Sequence, residues 1–443
     1  MRSRLLIVSH EAPGALMSGP AIRYWQLAQT LADEFEVSLA VPGAVDLPPG
    51  RVNLVRYGPD SVQALRNCAA GSHVTLVAGF VLRHYPFLLK LSRPMVVDLY
   101  DPFVLENLAI HSQAPLPEQA AINRVNQAVL AEQLSRGDFF LCASQPQRDF
   151  WLGMLTAAGR VNPYTFQADP TLRQLIDVVP FGLPDAPPDP APRALKGVVP
   201  GITAGDQVIY WGGGRWDWFD PLTAIRAVAG LIPRWPRLRL FFAGVAHPNP
   251  AVPPMRQAAQ AERLSAELGL TDRHVFFNSW VPYADRAAYL LDADVGLSLH
   301  FDQVETRFAY RTRLLDYVWT GLPMVITRGD TLGEQAAERG LAMAVAPGDV
   351  GGVVEALSAY LSEPEEHRAA RQARARVMAD ELRWSQVVWP LRNYCRAPVL
   401  AADRSAAPAV PTWRPSLVGK AWQSLRQRGL VGLWRDIRVY LDV

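Results

Sequence analysis

Short, almost wholly apolar runs recur along the chain, separated by longer amphipathic or polar stretches. In the first half they are Leu5 to Ser9, Val37 to Val41, Asn53 to Tyr57, Val74 to Val77, Met95 to Leu99 and Phe139 to Ala143. In the second half they are Gln207 to Trp211, Leu238 to Ala243, Val275 to Asn278, Val295 to Leu299, Met324 to Thr327 and a short run ending at Ala346. Such runs predict strands buried on both faces, and the helical stretches between them predict the βαβ units of parallel sheets. Helices are expected over Ala21 to Glu34, Glu118 to Arg136, Pro221 to Leu231, Met255 to Leu268 and Ala309 to Thr320. Asp220 with Pro221 makes an N-cap and N1 pair, and Gly321 with Pro323 stops the last of these helices.

The spacing of these units predicts two doubly wound α/β domains. Residues 1–183 form the first and residues 201–380 the second, joined by a Pro- and Ala-rich linker at 184–200. Residues 381–395 form a further helix. An Ala/Pro-rich stretch at 396–415 reads as a flexible linker, and 416–443 as a basic amphipathic helical tail. Apolar residues including Leu417, Trp422, Leu425, Leu433, Trp434 and Ile437 recur at three- and four-residue spacing along that tail, with Lys420, Arg426, Arg428 and Arg435 largely between them. The pattern suits the surface of an anionic membrane or, equally, a protein face.

Composition narrows the classes. A chain of 443 residues, 49% of them hydrophobic, can bury two cores. A net charge of only +2 argues against a nucleic-acid partner. Cys68, Cys142 and Cys395 are isolated, giving neither a zinc motif nor a disulfide framework, and a reducing cytoplasm is the simplest setting. The apolar run after MRSR is too short for a signal-peptide core, and no stretch approaches the ~20 residues of a membrane span.

Candidate chemistry gathers at strand ends. After Trp211, Gly212, Gly213 and Gly214 allow backbone to approach an anion, and Arg215 adds a guanidinium fork. After Leu299, Glu305, Arg307, Arg311 and Arg313 crowd a predicted helix start, where backbone N–H groups favour an anion such as a diphosphate. Asp316 shares the face of Arg313. A solvated, ion-paired helix face is the plain alternative for this set. Asp98, Asp101 and Glu106 lie at or beyond the carboxyl end of Met95 to Leu99 and suit either sugar hydroxyls or helix capping. The DAD of Asp292 to Asp294 invites a metal reading, but its place just before a strand is that of an ordinary turn.

The order of strand, Glu305, a helix with Asp316, then Gly321-Leu322-Pro323 and another strand resembles the nucleotide-sugar site of retaining family-four glycosyltransferases with the GT-B fold. HFDQVETRFAYRTRLLDY is similar to a bacterial subgroup found in surface-polysaccharide synthesis. The acidic pair departs from the family pattern: Glu305 and Asp316 lie ten residues apart rather than seven, and the second is Asp.

The resemblance implies two Rossmann-like domains facing a cleft, the first on the acceptor side, with 381–395 crossing back to it. It implies donor-side roles for Gly19, Gly213, Gly214, Trp280, Val281 and Asp316. Arg215, Arg311 and Arg313 would stabilise the leaving diphosphate, Glu305 would hold donor-sugar hydroxyls and Asp101 would act from the opposite lobe. Arg23 becomes a possible cleft residue. The expected partners are a nucleotide-diphosphate sugar and a glycan or lipid-linked acceptor, with neither cofactor nor metal required. A nucleotide-sugar epimerase of the same architecture and a noncatalytic glycan- or partner-binding protein remain the alternatives. An NAD-dependent oxidoreductase is disfavoured by the absence of GxGxxG.

Overall fold

The computed structural model describes residues 2–406 apart from Ala44, Asp46, Pro49, 190–192 and 245–254. The expected tail at 416–443 and residues 407–415 of the expected linker lie outside the described residues.

Thirteen strands are described: β1 (Arg4–Val8), β2 (Glu36–Val41), β3 (Asn53–Arg56), β4 (Val74–Ala78), β5 (Met95–Asp98), β6 (Phe139–Cys142), β7 (Ile176–Val178), β8 (Gln207–Trp211), β9 (Leu238–Phe242), β10 (Val275–Phe277), β11 (Val295–Ser298), β12 (Met324–Thr327) and β13 (Ala342–Val345). The first seven form one sheet in the order β3-β2-β1-β4-β5-β6-β7, and the other six form a second in the order β10-β9-β8-β11-β12-β13. All pairings within the sheets are parallel. Each sheet therefore reverses winding once, between β1 and β4 and between β8 and β11. In open α/β sheets ligands bind beyond the strand ends at such a reversal.

The apolar runs are buried as expected: β4, β5, β6, β11 and β12 are enclosed along their whole length. One hydrophobic cluster runs through both domains, from Leu5 and Leu76 through Val179 and Phe181 to Tyr210, Tyr317 and Trp384.

The linker is tied to the second domain. Asp292 accepts the backbone N–H groups of Leu195 and Lys196 at 3.0 and 2.7 Å, and Lys196 Nζ lies 2.7 Å from Asp294. Asp294 also accepts the N–H of Val208 at 2.7 Å. Both carboxylates of the DAD motif are thus spent on the chain itself.

The chain then returns to the first domain. Leu183 donates its N–H to Leu382 and accepts that of Trp384, at 2.7 and 2.9 Å. Two short helices, Trp384–Val387 and Trp389–Arg396, follow. Tyr394 stacks on Phe139 with centroids 4.6 Å apart, and Arg396 pairs with Glu34 at 2.7 Å.

The start of the expected flexible linker is anchored instead. Helix Ala402–Ala406 carries Asp403, which holds the buried Arg160 at 2.6 Å, and Arg404 pairs with Asp138 at 2.7 Å. Alanine-rich composition suggested a loose chain, but one buried and one half-buried ion pair fix this part of it.

Candidate active site

The cleft is built from the strand ends of both sheets. On the first side β1 leads into Ser9 and His10, and the helix Gly19–Leu31 begins at Gly19 behind its N-cap Ser18. His10, Glu11, Ala12, Leu16, Ser18 and Pro42 surround a cavity of about 250 Å³. Burial pushes the His10 imidazole down to about 4 against the opposing pull of Asp98, so the ring is neutral, and its Nδ1 has no hydrogen-bond partner.

Arg23 is not a cleft residue. It is 0% exposed, grips Asp98 through two hydrogen bonds of 2.6 and 3.1 Å, and donates to the carbonyls of Val179 and Pro180. It ties the first helix to β5 and to the segment leaving β7. Asp98 is consumed in the same bonds, which removes it from the sugar-binding candidates.

On the second side β8 ends in the glycine turn. Gly213 has φ +67, a value that favours glycine, and a Cβ there would meet nothing within 4 Å. Trp280 packs on this turn: its ring lies 3.7 Å from where a Cβ on Gly214 would sit and 2.7 Å from where one on Gly244 would sit. Trp280 pairs through its backbone with Gly244, and Val281 beside it is buried. The expected nucleotide-side residues Gly213, Gly214, Trp280 and Val281 are therefore neighbours.

Arg215 contradicts its expected role. The side chain turns away to the helix Arg256–Glu267, donating to the carbonyl of Ala258 at 3.1 Å and to Glu262 at 2.7 Å. Its guanidinium lies over the rings of Phe277 and Phe242, 4.7 and 5.4 Å from their centroids, and the residue is 2% exposed. Asp217 also points to that helix, accepting the N–H of Gln257 at 2.9 Å. Arg215 and Asp217 thus fasten the turn to the helix rather than face the cleft.

Arg313 stands at the turn instead. The expected single helix from Ala309 is two: Val304–Phe308 and Arg313–Thr320, with a break at 309–312 where Tyr310 packs half-buried against the core. Arg313 opens the second helix, donates to the carbonyl of Gly214 at 2.8 Å and lies 3.7 Å over Phe219. Its Nη1 has no partner, and no carboxylate pairs with it among the described residues. Burial, with repulsion from Arg311, brings its pKa down to about 9 although Tyr317 and Tyr210 oppose the shift. A buried guanidinium without a counter-charge is costly and is stabilised by an arriving anion.

Arg311 is already compensated, with Nη2 2.6 Å from Glu305. Glu305 is 1% exposed and its second oxygen, Oε1, is without a hydrogen-bond partner. Asp101 and Glu106 of the first domain face Glu305, close enough for its charge to raise both of their pKa values. The structure so brings Asp101, Glu305 and Arg311 together across the cleft.

Asp316 is held by Arg286 at 3.2 Å and keeps 35% of its side chain exposed. Arg286 lies 3.7 Å over Tyr283 and 4.7 Å over Trp319. Tyr283 reaches the first domain, donating its N–H to Ala15 at 3.0 Å and accepting from Gln26 at 3.1 Å. Sequence reasoning missed Arg286 and Tyr283. Their spacing in the YADR segment, three apart at a helix start, was the available signal.

Solved structures match this arrangement over most of its length. Sucrose-phosphate synthase from Thermosynechococcus elongatus superposes with a TM-score of 0.62 at 15% identity, covering 89% of this chain and 98% of that one. WaaG, a glycosyltransferase involved in lipopolysaccharide biosynthesis, gives 0.59 at 16%, covering 91% and 100%. Anabaena HepE, solved in complex with UDP and glucose, gives 0.59 at 11%, covering 90% and 100%. The chain has the GT-B fold. No protein-family model matches it, and no curated protein is similar in sequence. In this GT-B chain the glycine turn, Arg313, Trp280 and Asp316 lie on the second domain, and Asp101 and Glu106 meet Glu305 from the first. No helix among the described residues is long and apolar enough to cross a membrane.

Proposed function

We propose that the chain is a retaining glycosyltransferase that moves a sugar from a nucleotide-diphosphate sugar to a hydroxyl of a glycan or lipid-linked acceptor, without need of a metal ion. The observation that carries this reading is Arg313: a buried cation lacking a counter-charge, beside an exposed glycine turn, at the winding reversal of the second sheet. A diphosphate there would meet Arg313, the backbone of Gly213 and Gly214, and the start of the helix Arg313–Thr320.

Arg313 then stabilises the charge that develops on the departing diphosphate, and a buried, preorganised guanidinium does so more strongly than one in water. Arg311, oriented by Glu305, adds to the field. Asp316 takes the ribose, Trp280 and Val281 border the base, Glu305 takes donor-sugar hydroxyls and Asp101 orients the reacting group from the first domain. Departure and attack on one face would retain the anomeric configuration.

HepE was solved with UDP and with UDP-glucose, which makes UDP the first nucleoside diphosphate to try. Polysaccharide or lipopolysaccharide assembly in a bacterium is the setting supported by the likeness to WaaG. The basic amphipathic pattern of 416–443 supports peripheral membrane contact.

The test is to incubate the protein with a panel of nucleotide sugars, with and without lipid-linked and soluble glycan acceptors, and to follow products by proton NMR. Acceptor-dependent release of the nucleoside diphosphate, with the donor's anomeric configuration kept in the product, is expected. Acceptor-independent formation of a donor epimer would replace this reading with the epimerase one.

A further inference from the structure

The helix Gln145–Ala157 follows β6 in the first domain, and one of its side chains holds both edges of the cleft. Gln147 is 0% exposed, and both ends of its amide are used. The oxygen, Oε1, accepts the N–H of Ala143 at 2.7 Å, a bond within the first domain. The nitrogen, Nε2, has two hydrogens and donates to two carbonyls: that of Tyr100 at 2.9 Å and that of Phe308 at 2.7 Å. Tyr100 belongs to the first domain and Phe308 to the second.

The places of those two carbonyls give the bonds their consequence. Tyr100 immediately precedes Asp101, the first-domain carboxylate expected to orient the reacting group. Phe308 ends the helix Val304–Phe308, where the last carbonyls have no partner within the helix and are free to accept. It lies midway in sequence between Glu305 and Arg311, whose side chains meet at 2.6 Å. Holding the Phe308 carbonyl therefore fixes the bend from which both of those groups project.

Two further contacts separate the roles of the bonds. Trp151, on the next turn of the same helix, donates its Nε1 to the carbonyl of Leu99 at 2.9 Å, so the first-domain edge keeps a hold that does not depend on Gln147. Across the cleft the Phe308 ring lies 4.8 Å from that of Phe150, a contact that supports the Gln147 bond but gives it no direction. A buried N–H is costly without an acceptor, so the bond to Phe308 persists while the domains meet and is exchanged for water when they part.

We infer that Gln147 is a positioning residue for sugar transfer: its two N–H groups clamp the segment bearing Asp101 to the helix bearing Glu305, and so set the first domain's carboxylate against the donor-side Glu305 and Arg311. The inference rests on the glycosyltransferase reading for what is positioned, while the clamp itself stands on three hydrogen bonds.

Gln147→Glu tests it, because the variant keeps an oxygen for Ala143 and turns the donor to both carbonyls into an acceptor. Steady-state transfer kinetics, calorimetry of UDP binding and small-angle scattering of the full chain without ligand are read together. The kcat should fall about a hundredfold, the order expected when reacting groups are misplaced by about 1 Å. UDP affinity and the donor KM should stay close to those of the wild type, since Arg313 and the glycine turn are untouched. The radius of gyration should exceed that of the wild type.

An unchanged kcat, a UDP affinity that falls in step with kcat, or equal radii overturns the inference. Should the Glu variant fail to fold, Gln147→Met, uncharged and of similar length, is read in the same way. Failure of both to fold also overturns it, because Gln147 would then be holding the first domain itself. If the wild type neither binds UDP nor transfers sugar, the glycosyltransferase reading fails, and the radii judge the clamp: a larger one in the variant supports it and equal ones overturn it.

Discussion

Arg215 and Arg313 flank the same glycine turn, and both are buried guanidinium groups; their partners set them apart. Arg215 has Glu262, a carbonyl and two aromatic rings. Arg313 has a carbonyl and two rings as well, but no carboxylate among the described residues. Glu262 is 49% exposed, so the ion pair of Arg215 adds little and its packing matters more. Arg215→Ala should therefore lower stability by about 1–3 kcal/mol, read by urea unfolding, while stabilisation by a nucleoside diphosphate persists. Sequence showed a Gly-Gly-Arg turn but not which way the arginine faces. The direction is set by the alternation of Arg215 and Asp217 toward the helix Arg256–Glu267, whose residues lie some forty positions on. The charge of Arg313 was legible; its lack of a counter-charge was not, because that depends on every neighbour at once.

At the scale of elements, the strands were legible because parallel strands buried on both faces must be continuously apolar, and each expected run is found within a residue or so. The helix carrying the arginines was less so. Ala309 to Arg311 has no proline or glycine to mark a break, and the break comes where Tyr310 packs half-buried against the core and helix Val304–Phe308 docks on the first domain. The C-terminal anchoring was hidden for the same reason: Asp403 finds Arg160 across 243 positions of sequence. Arg160 is 5% exposed, and removing its partner leaves an uncompensated buried charge. Asp403→Ala should cost about 3–5 kcal/mol, read as a lowered Tm and urea midpoint. An unchanged midpoint would show that the segment is not anchored by this pair.

For the whole molecule, two sheets with the same winding order present their reversals to one cleft, and the return of the chain through Trp384 ties the second domain to the first. That architecture could be read from periodicity and from a resemblance carried by residues 295–330. The partnership of Asp101, Glu106 and Glu305 could not, since it depends on how the two domains meet. The central claim is that Arg313 waits for the diphosphate of a nucleotide sugar. A thermal-shift titration with UDP, GDP, ADP, CMP and dTDP, on the wild type and on Arg313→Met, tests it most directly. A ligand at a hundred times its Kd stabilises the folded state by about 2.7 kcal/mol. One nucleoside diphosphate should raise the Tm of the wild type and leave that of Arg313→Met unmoved, and the unliganded variant should melt no lower than the wild type because it buries no unpaired charge. Equal shifts in both proteins, or none with any nucleotide, would contradict the account.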